Sequence, residues 1–162
     1  MSTKKVATCG VLAALAIVFG YVEHLIPLPI GIYGIKLGLA NICILVLMYA
    51  IDAKTAISVN IVRIAVCGML FGNLTAFIYS LVGGVASFAV MLMAKRSNMF
   101  SIVGVSVCGG IVHNVAQIIA AVFLFDELRI AFYLPVLLIC GTLTGALIGS
   151  VATPIIKRLL KK

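Results

Sequence analysis

Arg63 is the sole charge in the run from Thr55 to Leu74, and a guanidinium cannot shed its proton to escape an apolar setting. A fixed cation there is suited to one task, holding an anion, whether a side chain or a ligand. Polar groups at helical spacing accompany it. Asn60, Arg63 and Cys67 fall at i, i+3 and i+7 and so share one helix face. Gly110, His113 and Gln117 do the same, with Asn114 beside His113. Asn41 and Tyr79 lie inside apolar runs, while Lys36 and Asn73 stand at outer ends of such runs. These groups can converge on a polar pocket opening outward for Lys36 and Asn73, with Arg63 supplying charge and the neutral groups orienting a small ligand. Structural roles compete with that reading. Asn41 and Asn60 can bond across helices, Asn73 can cap a helix, His113 can be a satisfied core histidine, and helix-end carbonyls can hold Arg63.

Catalytic patterns are missing. The sequence has no paired-carboxylate site, no DDxxD-type diphosphate-magnesium motif, no nucleotide-binding loop and no Cys/His metal spacing. The chain is therefore expected to be no enzyme and to carry no cofactor. Cys9, Cys43, Cys67, Cys108 and Cys140 are scattered through apolar runs and read as small core residues. Thr142–Leu147 partly resembles a threonine motif that carries covalent flavin in membrane redox subunits, but Gly141 and Leu147 break the pattern. Glu23 is read with the outward-facing charges at the end of its apolar run and no other Asp or Glu falls within a span, so Arg63 is expected to lack an intramembrane carboxylate partner, which favours a ligand anion.

The elements that must position these groups are membrane helices. Hydrophobic residues make up 64% of the chain and charged residues 10%, against about 25% charged in ordinary soluble domains. We place six spans at 5–26, 36–51, 53–71, 73–94, 100–125 and 131–157, forming one all-α integral membrane domain over residues 1–162. Arg63 then lies about 14 Å from Lys54 along its helix, near the middle of the hydrocarbon layer. Pro27 and Pro29 end the first span. The apolar N-terminal run has no small-residue cleavage site at its end, so it reads as a retained span.

Six spans put both termini on one side, together with Lys4, Lys5, Lys54, Lys95, Arg96, Lys157, Arg158, Lys161 and Lys162. Only Lys36 and Arg129 face the other side. By the positive-inside rule, both termini of this multi-pass protein are expected to be cytoplasmic, and the expected location is the plasma membrane. The net charge of +8 reflects this topology and does not point to nucleic acid.

Small residues four apart mark close helix packing in a bilayer. Gly141, Gly145 and Gly149, followed by Ala152, form one such stripe; Gly10 with Ala14 and Ala16 with Gly20 form others. Each can pack within the chain or dock another membrane subunit.

Several strings together resemble one family: Gly34–Asn41, Arg63, Leu70–Leu74, Tyr79–Gly84, His113-Asn114-x-x-Gln117 and Thr144-Gly145. They are similar to the Gx transporter family, also labelled heptaprenyl diphosphate synthase component I, over nearly the whole chain. That family in turn resembles the substrate-binding S components of energy-coupling factor transporters. The resemblance implies a six-helix, S-component-like bundle that captures a vitamin-like molecule from outside, with a T component and two ATPases driving it to topple. Gly10, Ala14, Ala16 and Gly20 would meet the T component, although the alanine pair usual at that place is only approximated, and the loop Pro27–Tyr33 would gate the pocket. The ligand would be small and anionic or amphiphilic: a flavin, a quinone precursor, an isoprenoid-like molecule or another vitamin. Two other readings stay open, an accessory membrane subunit of isoprenoid or quinone synthesis and a structural subunit of a membrane redox complex.

Overall fold

The computed structural model describes residues 3–25, 38–72 and 74–161. Helices fill them: α1 (Thr3–Leu25), α2 (Leu39–Ala50), α3 (Ala53–Phe71), α4 (Leu74–Ser97), α5 (Ile102–Phe125), a 3-10 turn at Leu128–Tyr133, and α6 (Leu134–Leu160). Five of the six are long and apolar enough to cross a bilayer. The sixth, α2, corrects the expectation of six full spans. Its 12 residues rise about 18 Å, well short of a hydrocarbon layer of about 30 Å.

The short helix is the centre of the bundle. Cys43 through Met48 are all buried, as expected for a helix apolar on every side, and α1, α3 and α6 pack around it. The other helices turn valine, leucine, phenylalanine and methionine outward, the inverse of a water-soluble surface and the form that suits lipid.

Capping residues set the ends. Asp52 precedes α3 and accepts from the Thr55 N–H at 2.7 Å and its hydroxyl at 2.9 Å, and Ser101 caps α5 through the Gly104 N–H at 3.1 Å. Pro135 sits in the first turn of α6, where its missing N–H costs nothing. Lys95, in the last turn of α4, donates to the Met48 carbonyl and lies 4.6 Å from the centre of the Tyr49 ring. It thereby serves the carbonyls left open at the end of α2.

The glycine stripe of α6 packs within the chain. A Cβ on Gly145 would stand 2.8 Å from the Ser106 carbonyl oxygen and from Val107 Cα, and one on Gly149 would stand 2.7 Å from Val103 Cα. Helices α5 and α6 therefore touch backbone to backbone. Hydroxyls inside α6 are satisfied locally, Thr142 by Leu138, Thr144 by Cys140 and Thr153 by Gly149. On α1 the small residues split. Ala16 is buried and Gly20 abuts Cys67, whereas Gly10 and Ala14 are exposed, and a Cβ on Gly10 would meet nothing within 4 Å.

Gly149→Ala is expected to destabilise the detergent-solubilised protein by about 1–3 kcal/mol, because backbone must move to admit the methyl group, while Gly10→Ala leaves the thermal midpoint within error. Equal shifts for the two would contradict this packing. A second expectation concerns pH. The Thr55 N–H and hydroxyl hold the Asp52 carboxyl below the usual carboxylate range. A group held low in the fold adds stability above its unfolded pKa and loses it as pH falls through its folded pKa. The small difference in stability between the wild type and Asp52→Ala should therefore shrink as pH drops from about 6 toward about 3. A constant difference would mean that the cap acts without its charge.

Candidate functional site

Gly83 and Gly84 let α4 approach two neighbours at one level. A Cβ on Gly83 would stand 2.9 Å from Gln117 Cγ and 3.1 Å from the His113 ring, both on α5. A Cβ on Gly84 would stand 2.6 Å from Ile64 Cδ1 and 3.4 Å from Asn60 Nδ2, both on α3. One turn deeper, the Ser87 hydroxyl donates to the Gly109 carbonyl at 2.9 Å.

Beside this contact lies a cavity of about 40 Å³ between α2, α4, α5 and α6, room for two or three waters. Asn41, Ser87, Ser106, His113, Asn114 and Thr144 give it polar groups, and Leu45, Met91 and Ile148 give it apolar wall. Its inner end reaches Gly38, whose left-handed backbone (φ 74°) starts α2. Asn41, His113 and Asn114, expected to share a pocket, do share this one. Asn114 also donates to the Leu137 carbonyl and so laces α5 to α6.

Gln117 lies one turn beyond His113 on α5. It is buried against Gly83, and its Oε1 has no hydrogen-bond partner. Tyr79 lies one turn before Gly83 on α4, its ring 6.3 Å from that of Phe125 and its buried hydroxyl also without a partner.

Arg63 stands elsewhere. Its Nη2 donates to Asn60 Oδ1 at 2.8 Å, and Asn60 Nδ2 donates in turn to the Gly84 carbonyl at 3.2 Å. Its Nε is buried without a partner, and its aliphatic stem passes Gly20 of α1. Arg63 is not among the described residues that line the cavity, whereas Asn41 and Leu45 of α2 are. The wall of this cavity comes from α2, α4, α5 and α6, and neither Arg63 nor Gln117 is among its described lining residues.

The expected absence of an intramembrane carboxylate also needs correction. Helix α1 runs past Glu23 within a segment long and apolar enough to span a bilayer, and the Glu23 Oε1 accepts from the Leu39 N–H at 2.6 Å. The short α2 starts there, half-buried, with open N–H groups and no cap from Gly38, and a carboxylate meets both that need and the end's partial positive charge.

Lys36, Asn73 and the loop Pro27–Tyr33 lie outside the described residues. Among the described residues, no cluster of His, Cys, Asp or Glu could hold a metal ion. Reading the sequence missed Glu23, Ser87, Ser106 and Thr144. The spacing Tyr79-x-x-x-Gly83-x-x-x-Ser87 marks one face of α4 and could have revealed Ser87.

Neither a curated protein nor a solved structure shows a significant match to the chain. The model of the family described as heptaprenyl diphosphate synthase component I matches residues 12–155. With most of its length covered by that match, this multi-helix membrane chain belongs to the heptaprenyl diphosphate synthase component I family.

Proposed function

We propose that the chain is a membrane substrate-binding protein of the energy-coupling factor S-component type, taking up a small vitamin-like molecule within its helical bundle. One observation carries this reading. Gln117 Oε1, Tyr79 Oη and Arg63 Nε are buried and have no hydrogen-bond partner, in a bundle whose threonine hydroxyls and Asn114 amide are bonded. An unsatisfied buried polar atom costs about 1–3 kcal/mol, and a ligand that supplies the missing bond removes that cost. Gln117 and Tyr79 flank the Gly83 contact on either side, next to the cavity that holds Asn41, His113 and Asn114.

Of the anionic and amphiphilic ligands open from the sequence, we favour the amphiphilic ones, since no Lys or Arg is among the described residues lining the cavity. Lys36 and Asn73 would complete the outward side. The bundle binds its cargo without driving it, so a T component and ATPases would supply the energy. The exposed small residues Gly10 and Ala14 give α1 a face for the T component, and Ala16 and Gly20 hold α1 to the bundle. The family description supports a second reading, an accessory membrane subunit of prenyl diphosphate synthesis.

Tyr79→Phe and Gln117→Leu conserve volume and remove an unpaired polar atom. Each should leave the thermal midpoint unchanged or higher while weakening the retained small molecule, followed by native mass spectrometry, about tenfold. A lower midpoint with unchanged retention would assign both residues to packing. Co-purification from native membranes should bring down ATPases and a membrane partner; a soluble prenyl synthase in their place would favour the second reading. For orientation, a cysteine placed at exposed Arg129 should react with an impermeant reagent from outside the cell and one at Lys54 should not, and the reverse pattern would overturn cytoplasmic termini.

A further inference from the structure

We infer that the cavity between α2, α4, α5 and α6 selects an uncharged head group that donates hydrogen bonds, a hydroxyl, amine or ring N–H, and rejects phosphate and carboxylate; this deepens the substrate-binding reading and rests on it. Three donors of the cavity wall are already committed to backbone carbonyls. The Ser87 hydroxyl donates to the Gly109 carbonyl and the Thr144 hydroxyl to the Cys140 carbonyl, each at 2.9 Å, and Asn114 Nδ2 donates to the Leu137 carbonyl. In each case the acceptor is a backbone carbonyl, so the direction of the bond is fixed. What these three residues keep free is chiefly lone pairs, on Ser87 Oγ, Thr144 Oγ1 and Asn114 Oδ1, with one amide hydrogen of Asn114 besides.

Asn41 and Ser106 add groups that can donate or accept. Among the described residues lining the cavity, none is Asp, Glu, Lys or Arg, and His113 is the titratable one. An anion entering here would lose its water and meet oxygen lone pairs, with no cation in the wall to compensate. A hydroxyl or N–H would meet three acceptors. The volume of about 40 Å³ fits the tip of such a group, about the size of one to three waters, while the body of the ligand extends toward Gln117 and Tyr79.

The test uses the purified full chain and four probe pairs that differ by one anionic group: riboflavin and flavin mononucleotide, pantothenol and pantothenate, pyridoxine and pyridoxine phosphate, and 1,4-naphthohydroquinone and 1,4-dihydroxy-2-naphthoate, the last under anaerobic conditions. Equilibrium binding should show, in at least one pair, the neutral member bound at least about tenfold more tightly than its anionic partner. Thr144→Val, which keeps the side-chain shape and leaves the Cys140 carbonyl its helical bond, should reduce the affinity of the neutral member, and so should Ser87→Ala. Tighter binding of the anionic member overturns the inference and leaves the substrate-binding reading standing. A neutral preference that survives both substitutions overturns the assignment to this cavity. Binding of no member of any pair overturns the inference together with the reading on which it rests.

Discussion

A helix of 12 residues cannot cross the hydrocarbon layer, and much of this bundle follows from having such a helix at its centre. The N–H and C=O groups left open at the two ends of α2 are met in part by side chains. Glu23 of α1 meets the first and Lys95 of α4 meets the last. The signs agree with the helix dipole, a carboxylate at the N-terminus and an ammonium at the C-terminus. Two of the few charged residues in an apolar chain are thus committed to one buried helix. The same helix gives Asn41 and Leu45 to the wall of the neutral cavity.

Glycine fixes the second constraint, the distances between backbones. Between α5 and α6 the contact is so close that a Cβ on Gly110 would strike the Gly141 carbonyl, and one on Gly141 would stand 2.6 Å from Asn114 Nδ2. Between α4 and its neighbours, Gly83 and Gly84 do the same on adjacent faces. Such proximity brings carbonyl groups within reach of Ser87, Asn60 and Asn114, and the outcome is a polar layer at mid-bundle. Van der Waals contact and interhelical hydrogen bonds supply what the hydrophobic effect cannot supply between helices in lipid. The cavity is the part of that layer where α2, α4, α5 and α6 leave space.

Much of this was legible in the sequence because the signals were one-dimensional. Span limits follow from the length of apolar runs, and α3 and α5 match in type and extent to within two residues. The polar residues singled out on α2 and α5 do meet, because i, i+3 and i+4 spacing fixes a face. What could not be read is which face turns to which neighbour. Arg63 shares a helix face with Asn60, and that face was taken to look at the pocket; in three dimensions Asn60 bonds the Gly84 carbonyl, and neither residue is among the described lining of the cavity. Glu23 escaped for a related reason. Near the end of an apolar run it looks like an interfacial residue, and only the uncapped start of α2 beside it gives it a backbone partner. Ser87 and Thr144 escaped because a hydroxyl inside a membrane helix ordinarily bonds its own backbone, and Thr144 does so while also facing the cavity.

The commitments of Arg63 also bear on what the cavity can accept. A buried guanidinium acts strongly on a charged ligand only where it reaches it, or where little screens it. Here Nη2 of Arg63 donates to Asn60 Oδ1, and Asn60 Nδ2 donates on to the Gly84 carbonyl, so the side chain is tied to α3 and α4. None of the described residues lining the cavity is charged at neutral pH apart from the titratable His113. The charge that marks this sequence and the neutral wall of its cavity are therefore compatible: the cation bonds within the fold, while Ser87, Asn114 and Thr144, each already donating to a backbone carbonyl, keep lone pairs to offer.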